Sequence, residues 1–349
     1  MRYLTFISIF FTFNAIQAWG NSPPSLNIYM WEDTLSPSVA NEWEKRTKTS
    51  LQLSHFDNDD ERSLLMNRNT QLPFDIVVLD NVSANIYGRL GSFIDLSQIK
   101  NRKHNADKWN QACGDYAIPY FWGTVGIVYR KDFIQKPPTT WQEFVSPPDD
   151  VAGRIGMIND SIETFLPLFY SKDISPISED PSLIAQTYPD LLSFSEKVLT
   201  FEYALSYVRS HDSSENLWMA LAYSGDQYSL NRYYGSEKWA YTLPDGEAFL
   251  WVDCLAISSH SSNIAAATDF IEYISDPKVA AKNAIDVKSA TPNLSALKLL
   301  PKTYLDDASL FPAPSVMENG QIDTELSATS ISLRAKVINS ILKRHEAQH

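Results

Sequence analysis

Long apolar runs are scarce in this sequence of 349 residues. Beyond residue 20, no stretch approaches the ~20 consecutive apolar residues that a membrane-spanning helix needs. An early apolar run, residues 3–13, is shorter than that; it follows Arg2 and precedes small residues at Ala18 and Gly20. This order is typical of a secretory signal peptide. We therefore expect a signal peptide at residues 1–20, cleaved near Ala18 or Gly20, and a soluble mature protein in the periplasm.

Positive charge is also in short supply. The chain has 29 Lys and Arg against 42 Asp and Glu, a formal net charge of -13, and loss of Arg2 with the signal peptide would take a further positive charge away. Nucleic acid and anionic membranes are poor partners for so acidic a surface. Such a surface attracts cations, although the solubility of an exported protein is a sufficient explanation for the charge.

Cysteine is limited to Cys113 and Cys254. In an oxidising compartment the two could pair, and closure of the long loop between them would stabilise the fold. Two separately buried thiols are the alternative, because the sequence does not give the Cα separation that a disulfide requires. No cysteine follows the expected cleavage site, so we do not expect a lipid anchor there.

The usual enzyme signatures are missing. The sequence has no G-x-S-x-G, G-x-x-x-x-G-K, G-x-G-x-x-G or H-E-x-x-H motif, and its six histidines are scattered. Asp160 and Glu163 could form the acid/base pair of a glycosidase, but the sequence has no signature of a wider substrate groove to accompany them. We therefore predict that the protein is not an enzyme and has no catalytic residues, metal site or cofactor.

Strand-like and helix-like segments alternate along the chain, which favours an α/β fold with a mainly parallel, doubly wound sheet. Segment 116–129 is long for a strand and contains proline and glycine, so it suits a strand that crosses between two lobes, with 249–257 as the return crossing. The other predicted strands are 26–31, 51–56, 74–79, 154–158, 219–223 and 238–243, and the predicted helices are 39–46, 61–67, 141–145, 183–188, 189–199, 265–274 and 324–344.

Two acidic loops follow predicted strands. Residues 31–33 come after the first strand and residues 80–82 after the third. In open α/β sheets the ligand lies beyond the carboxyl ends of the strands. Indole and phenol faces can stack on a linear amine while carboxylates accept hydrogen bonds from its ammonium groups, so these loops suit a cage for an organic cation.

A set of motifs in a fixed order carries a family resemblance. They are Trp31-Glu32-Asp33, Phe74-Asp75-Ile76-Val77-Val78, Ile118-Pro119-Tyr120-Phe121-Trp122-Gly123, Asn159-Asp160-Ser161-Ile162-Glu163, the segment 250–257 with Trp251 and Asp253, Ala290-Thr291-Pro292-Asn293, and Glu318-Asn319-Gly320. In that order they resemble the periplasmic spermidine/putrescine-binding proteins of bacterial transporters. The resemblance covers residues 26–340.

This resemblance implies a two-lobed periplasmic binding protein of type II, in which each lobe is a mainly parallel sheet flanked by helices and a hinge closes the lobes on a polyamine. It further implies an N-terminal lobe of residues 24–125 plus 252–297 and a C-terminal lobe of residues 126–251 plus 298–345.

The resemblance also implies ligand-binding residues. Trp31 matches the aromatic wall of the first lobe and Asp33 a carboxylate beside it. Trp251 matches the aromatic that stacks on the ligand, and Asp253 the carboxylate that holds an amine. The pair Asp160 and Glu163 matches the acids that take a terminal amine, and Tyr223 stands where the family often has Trp.

Five positions depart from the family pattern. Thr34 stands where Tyr is typical, Asp80 and Val82 occupy a loop that usually offers Ser and Tyr, Ser289 replaces Tyr, and Asp323 replaces Gln. We include Asp80, Ser289 and Asp323 among the ligand-binding candidates. The altered cleft leaves the length and amine count of the ligand open.

Structural explanations compete at several of these positions. Trp31, Trp251 and Tyr223 could be core residues at strand ends, and Asp80 and Asp323 could be helix caps. Trp122 is expected in the core. Asp253, flanked by Val252 and Cys254 on an apolar strand, is the residue least easily explained as structure, because a buried unpaired carboxylate is costly.

The expected partners are a polyamine and a membrane protein. The resemblance allows an inner-membrane ABC permease for uptake, or the periplasmic domain of a signalling protein, as in relatives that sense norspermidine and spermidine and regulate a membrane cyclic-dinucleotide enzyme. The altered cleft favours a sensing role, although transport is the commoner role in the family. We expect a monomer. A carboxylate, thiamine or sugar ligand would predict basic or neutral cleft residues instead.

Overall fold

The structure, a computed structural model, describes residues 24–56, 59–66 and 72–347, so the expected signal peptide lies outside the described residues. The strands are β1 Ser25–Trp31, β2 Ser50–Phe56, β3 Ile76–Asp80, β4 Ile118–Arg130, β5 Ile155–Gly156, β6 Val198–Thr200, β7 Met219–Tyr223, β8 Trp239–Thr242, β9 Phe249–Ile257 and β10 Gln321–Ile322. The helices are α1 Pro37–Thr47, α2 Asp59–Met66, α3 Asn81–Arg89, α4 Asp107–Cys113, α5 Trp141–Val145, α6 Leu166–Tyr170, α7 Pro181–Ser195, α8 Ala204–Ser210, α9 Asp226–Tyr234, α10 Ile264–Ile274, α11 Pro277–Val287, α12 Leu294–Leu297, α13 Lys302–Leu305, α14 Pro314–Asn319 and α15 Ala328–Glu346.

These strands form a sheet in the order β2-β1-β3-β9-β4-β7-β5-β6, with β10 paired to β9 and β8 paired to β4. Toward both ends of the sheet the pairs are parallel: β1 with β2 and β3, and β5 with β6 and β7. In the middle, β9 runs antiparallel to β3 and β4, and β4 runs antiparallel to β7. The predicted two-lobed α/β fold with crossing strands is confirmed, and β4 and β9 are the strands that cross.

Separate hydrophobic cores lie at the two halves of the sheet. One takes its buried residues from 26–122 and 248–290, and another from 125–249 and 326–341. The division falls within the crossing strands: on β4, Trp122 belongs to the first core and Val125 to the second, and on β9, Phe249 belongs to the second and Leu250 to the first. We call the halves the first and second lobe.

Cys113 and Cys254 form a disulfide, with a Cα–Cα distance of 5.7 Å and a sequence separation of 141. Cys113 ends α4 and Cys254 lies in β9, and both are fully buried in the first core. Of the two possibilities left open by the sequence, pairing is therefore the one found. The chain between the cysteines runs out through β4, forms most of the second lobe and returns through β9.

Some elements differ from those predicted. The two helices predicted at 183–199 are the single helix α7, which contains Pro189 and is followed by the short strand β6. Helix α3 was not predicted; it begins after Asp80, whose side chain accepts a hydrogen bond from the Ser83 amide. The last helix starts at Ala328 because Ser327 caps it. Among the described residues, we find no helix with the length and hydropathy that crossing a membrane requires.

Candidate functional site

The strand ends that meet between the lobes carry most of the predicted site. Trp31 ends β1, Asp80 ends β3 and Tyr223 ends β7, while Trp251 and Asp253 lie on the crossing strand β9. Asp80 and Asp253 are register partners on neighbouring strands, so their side chains lie on the same face. The fold thus brings these five residues to the cleft between the two cores.

Four aromatic rings form a row across this cleft. Centroid distances are 6.3 Å from Trp31 to Tyr203, 5.9 Å from Tyr203 to Tyr223 and 6.0 Å from Tyr223 to Trp251, with interplanar angles of 59°, 51° and 76°. All four side chains are partly exposed. The row can therefore offer ring surface to a cation or its alkyl chain.

The ring of Trp251 depends on a glycine in the neighbouring strand. Gly123 is its register partner on β4. A Cβ atom at Gly123 would lie 2.6 Å from the Trp251 ring and 2.2 Å from the Ser224 hydroxyl oxygen, so only glycine leaves room there. The indole N–H donates to the Thr124 carbonyl oxygen at 3.3 Å, which further orients the ring.

Asp80 and Asp253 form the acidic centre of the first lobe. Asp80 is a helix cap, and its carboxylate also accepts from the buried Arg62 guanidinium at 2.5 Å. Asp253 is 9% exposed. Burial raises the pKa of Tyr120, and the charge of Asp253 adds to that rise.

Hydrogen bonds of Tyr120 and Asn283 hold the loop after β1 in place. The Tyr120 hydroxyl donates to the Thr34 carbonyl oxygen at 2.6 Å, and the Asn283 side chain donates to Tyr120 and accepts from the Ser36 amide. The Thr34 hydroxyl donates a hydrogen bond to the Trp31 carbonyl oxygen. These bonds fix the loop that presents Trp31 and its two acids to the cleft.

Glu32 and Asp33 make ion pairs to the second lobe. Asp33 has a left-handed φ of 62°, and its carboxylate lies 2.7 Å from Nη2 of Arg209 and 3.3 Å from Nη1 of Arg232. Arg209 also contacts the carboxylate of Glu32. Since Arg209 lies in α8 and Arg232 in α9, these pairs join the loop after β1 to the second lobe.

The second lobe contributes the acids predicted at 160 and 163. Asp160 accepts a hydrogen bond from the Ile162 amide at 2.8 Å, and Glu163 accepts from the Tyr223 hydroxyl at 3.2 Å. The buried Arg334 donates to the Ser161 carbonyl oxygen at 2.9 Å. Burial lowers the pKa of Arg334 to about 10, against the opposing charges of Asp323 and Asp160. The hydrogen bond from Tyr223 connects the Glu163 carboxylate directly to the row of rings.

Ser289 and Asp323 hold the edge of the site through their backbones. The Ser289 carbonyl oxygen accepts from the Tyr304 hydroxyl at 3.0 Å, and the Asp323 carbonyl oxygen accepts from the Asn81 side chain at 2.9 Å. The Asp323 carboxylate bonds the adjacent Thr324 amide, and the cap of α15 is Ser327. Asp323 is thus not the cap of that helix.

Two residues at the centre of the row were not predicted from the sequence. Asp226 is buried and accepts from the Tyr203 hydroxyl at 2.6 Å and from the Tyr223 amide at 2.8 Å. Burial raises the pKa of Asp226 to about 7. The acid three residues after Tyr223, at the start of the next helix, was a signal available in the sequence. The sequence contained no such signal for Tyr203, because this residue precedes a short helix in a segment with no motif.

Comparisons with known proteins agree with this architecture. The profile of the family described as bacterial extracellular solute-binding protein matches residues 38–312. The chain is 49% identical over 323 residues to a norspermidine sensor of Vibrio cholerae, covering 93% of this chain and 90% of the other. It is 24% identical over 316 residues to a spermidine/putrescine-binding periplasmic protein of Escherichia coli, covering 88% of each.

Among solved structures, a putative spermidine/putrescine ABC transporter protein from Listeria monocytogenes superimposes with a TM-score of 0.79 at 24% identity. The match covers 92% of this chain and 99% of that one. At this level of identity the likeness establishes the fold.

Proposed function

The chain belongs to the family of bacterial extracellular solute-binding proteins, and we propose that it is a periplasmic polyamine receptor that closes around spermidine- or norspermidine-like cations. The observation that carries the proposal is the row of four aromatic rings with carboxylates beside it. The 49% identity to a norspermidine sensor supports the same ligand class.

The cleft recognises a polyamine through two kinds of contact. Ring faces bind the alkylene segments and the charged nitrogens, and carboxylates accept hydrogen bonds from ammonium groups. Both contacts gain strength when closure removes water from the cleft. The proposed ligand-binding residues are Trp31, Asp33, Asp80, Asp160, Glu163, Tyr223, Trp251, Asp253, Ser289 and Asp323.

Closure is a hinge motion about β4 and β9, the strands shared by the two cores. The pairs that Arg209 makes with Glu32 and Asp33 hold the lobes together. Asp33 therefore acts in ligand binding by holding the closed cleft as well as by its charge. The receptor works without catalysis.

The closed receptor presents its ligand to a membrane partner, either an ABC permease or the periplasmic domain of a signalling protein. The identity to a protein named a sensor is twice that to proteins named periplasmic binding proteins, which favours signalling. Deleting the gene distinguishes the two roles. Loss of a transport receptor should change polyamine uptake, whereas loss of a sensor should change cyclic-dinucleotide levels and leave uptake unchanged.

Thermal unfolding tests the ligand class. The mature protein, stripped of ligand by unfolding and refolding without reductant, is heated with norspermidine, spermidine, putrescine and a set of amino acids. A ligand at a hundred times its Kd stabilises the native state by about 2.7 kcal/mol, so we expect polyamines to raise Tm by several degrees and amino acids to leave it unchanged.

Asp253→Asn and Trp251→Ala should abolish that rise, because the first removes the buried anion and the second removes a ring of the row. Lys136→Ala, at an exposed position outside the cleft, should keep it. If no polyamine shifts the Tm of the stripped wild-type protein, the proposed function is wrong.

A further inference from the structure

We infer that Tyr203 is a further ligand-contacting residue and determines specificity for ligand length. Its ring joins Trp31 of the first lobe to Tyr223 of the second, so that a triamine is covered along more of its chain than a diamine. This inference rests on the proposed polyamine function.

The position of the ring is the first support. Tyr203 immediately precedes α8 on the second lobe, yet its centroid lies 6.3 Å from that of Trp31 on the first lobe and 5.9 Å from that of Tyr223. Without Tyr203, the row would reduce to the Tyr223–Trp251 pair, with Trp31 separated from it. The residue is therefore the link that makes the aromatic surface continuous across the cleft.

The hydroxyl of Tyr203 fixes the ring in this place. It donates to one carboxylate oxygen of the buried Asp226, and the other oxygen accepts from the Tyr223 amide. Both middle rings of the row are thus positioned by one carboxylate. Burial and the neighbouring Asp226 charge raise the pKa of Tyr203 well above 10, so the ring is a neutral phenol whose hydroxyl remains a donor.

Helix α8 holds the facing loop as well. Arg209, on the same helix, pairs with Glu32 and Asp33, the residues directly after Trp31. Thr34 completes that loop without an aromatic side chain. The ring at this end of the row thus comes from the second lobe, through Tyr203, and it is brought against Trp31 when the Arg209 pairs form.

Ligand length follows from this order of rings. Glu163 bonds the Tyr223 hydroxyl, and Asp253 lies two residues from Trp251 on the same face of β9, so amine-binding acids flank the Tyr223–Trp251 end. A diamine has one alkylene segment, which that end can cover. A triamine has a second segment, which extends along the row onto Tyr203 and Trp31.

Isothermal titration of the mature protein with norspermidine and with putrescine tests the inference. Because Tyr203→Leu removes a cation–π interaction with the ammonium group that ends the second segment, it should raise the Kd for norspermidine about tenfold and the Kd for putrescine less than about threefold. Tyr203→Phe keeps the ring and should bind norspermidine within about threefold of wild type. Tyr188→Leu, which removes a partly buried ring of α7 that packs against the second core, is the matched control and should change neither Kd.

The outcomes distinguish the role of Tyr203 from the polyamine function. Unchanged norspermidine binding by Tyr203→Leu, or an equal loss for both amines, overturns the role of Tyr203 while leaving the polyamine function in place. Wild-type protein that binds neither amine overturns both. Circular dichroism of each variant, compared with wild type, identifies a change in folding, in which case Tyr203→Phe alone decides whether the ring or the hydroxyl matters.

Discussion

Individual acids in the cleft differ in what surrounds them, and so in what they can do. Asp33 is matched by two arginines, Asp80 by Arg62 and a helix N-terminus, and Asp226 by a phenol and a backbone amide. Of these three acids, only Asp226 accepts its hydrogen bonds from uncharged groups alone, the Tyr203 hydroxyl and the Tyr223 amide. Burial raises the pKa of Asp226 to about 7, although the hydrogen bonds from Tyr203 and Tyr223 and the charge of Arg209 oppose that rise.

This predicts a pH dependence of stability. Asp226 has a pKa of about 7 in the folded state, whereas an unfolded Asp has a pKa of about 3.9. Between these values the native state holds more protons than the unfolded state, so its stability falls as pH rises from about 4 to about 7 and then levels off. Asp226→Asn cannot ionise and lacks this fall.

Relative to wild type, the free energy of unfolding of Asp226→Asn should therefore rise by roughly 2–3 kcal/mol between pH 5 and pH 8. Urea unfolding at the two pH values measures it, with the exposed Asp150→Asn as the control. Parallel profiles for wild type and Asp226→Asn would show that Asp226 is ionised throughout this range.

The crossing strand β4 carries two glycines with different neighbours. A Cβ at Gly123 would meet the Trp251 ring, whereas a Cβ at Gly126 would lie 2.4 Å from the Tyr241 hydroxyl and 2.7 Å from the Thr242 carbonyl oxygen of β8. Gly123 thus leaves space for the Trp251 ring of the cleft, and Gly126 leaves space for the neighbouring strand β8.

Alanine at these glycines separates affinity from stability. Overpacking destabilises a protein by about 1–3 kcal/mol, so both Gly123→Ala and Gly126→Ala should lower Tm. Gly123→Ala should also raise the Kd for norspermidine about tenfold, because the Trp251 ring is displaced. Equal affinities of the two variants, measured by titration, would mean that the ring is not placed by Gly123.

Much of this arrangement was readable from the sequence. Apolar strands ending in Trp31 and Asp80 indicated which residues meet at the sheet edge, and the family resemblance supplied Trp251 and Asp253. Tyr203 could not be predicted, because its place opposite Trp31 depends on how the two lobes meet. The disulfide stayed open for a similar reason, since only the packing of α4 against β9 brings the cysteines together.

Local errors have local causes. Pro189 suggested a break, yet it is accommodated within α7, one long helix. The predicted helix ran to Leu199, but α7 ends at Ser195. Val198 and Thr200 pair with β5 instead, because tertiary pairing outweighs helical pattern in this short segment with β-branched residues.

For the whole molecule, the ion pairs of Arg209 make closure depend on charge. Arg209→Gln removes two ion pairs between the lobes and leaves Arg232 on Asp33. Partly exposed ion pairs are weak singly, so we expect norspermidine to dissociate about threefold faster from the variant in stopped-flow measurements at low salt. High salt should reduce the difference between variant and wild type.

Arg46→Gln provides the matched control, because its pair with Asp269 is half exposed and lies within the first lobe. It should dissociate norspermidine at the wild-type rate. Dissociation from Arg209→Gln that matches this control would mean that the pairs across the cleft do not hold the lobes closed.

The disulfide gives the molecule a covalent topology that its sequence order hides. Cys113 and Cys254 bracket the outgoing and returning strands at the base of the second lobe, so most of that lobe is a closed ring of chain attached to the first lobe at a single crosslink. A peptide bond cut anywhere in this ring leaves one covalent molecule, and the two pieces separate only after reduction. In a compartment exposed to proteases, a nicked receptor keeps both halves of its cleft.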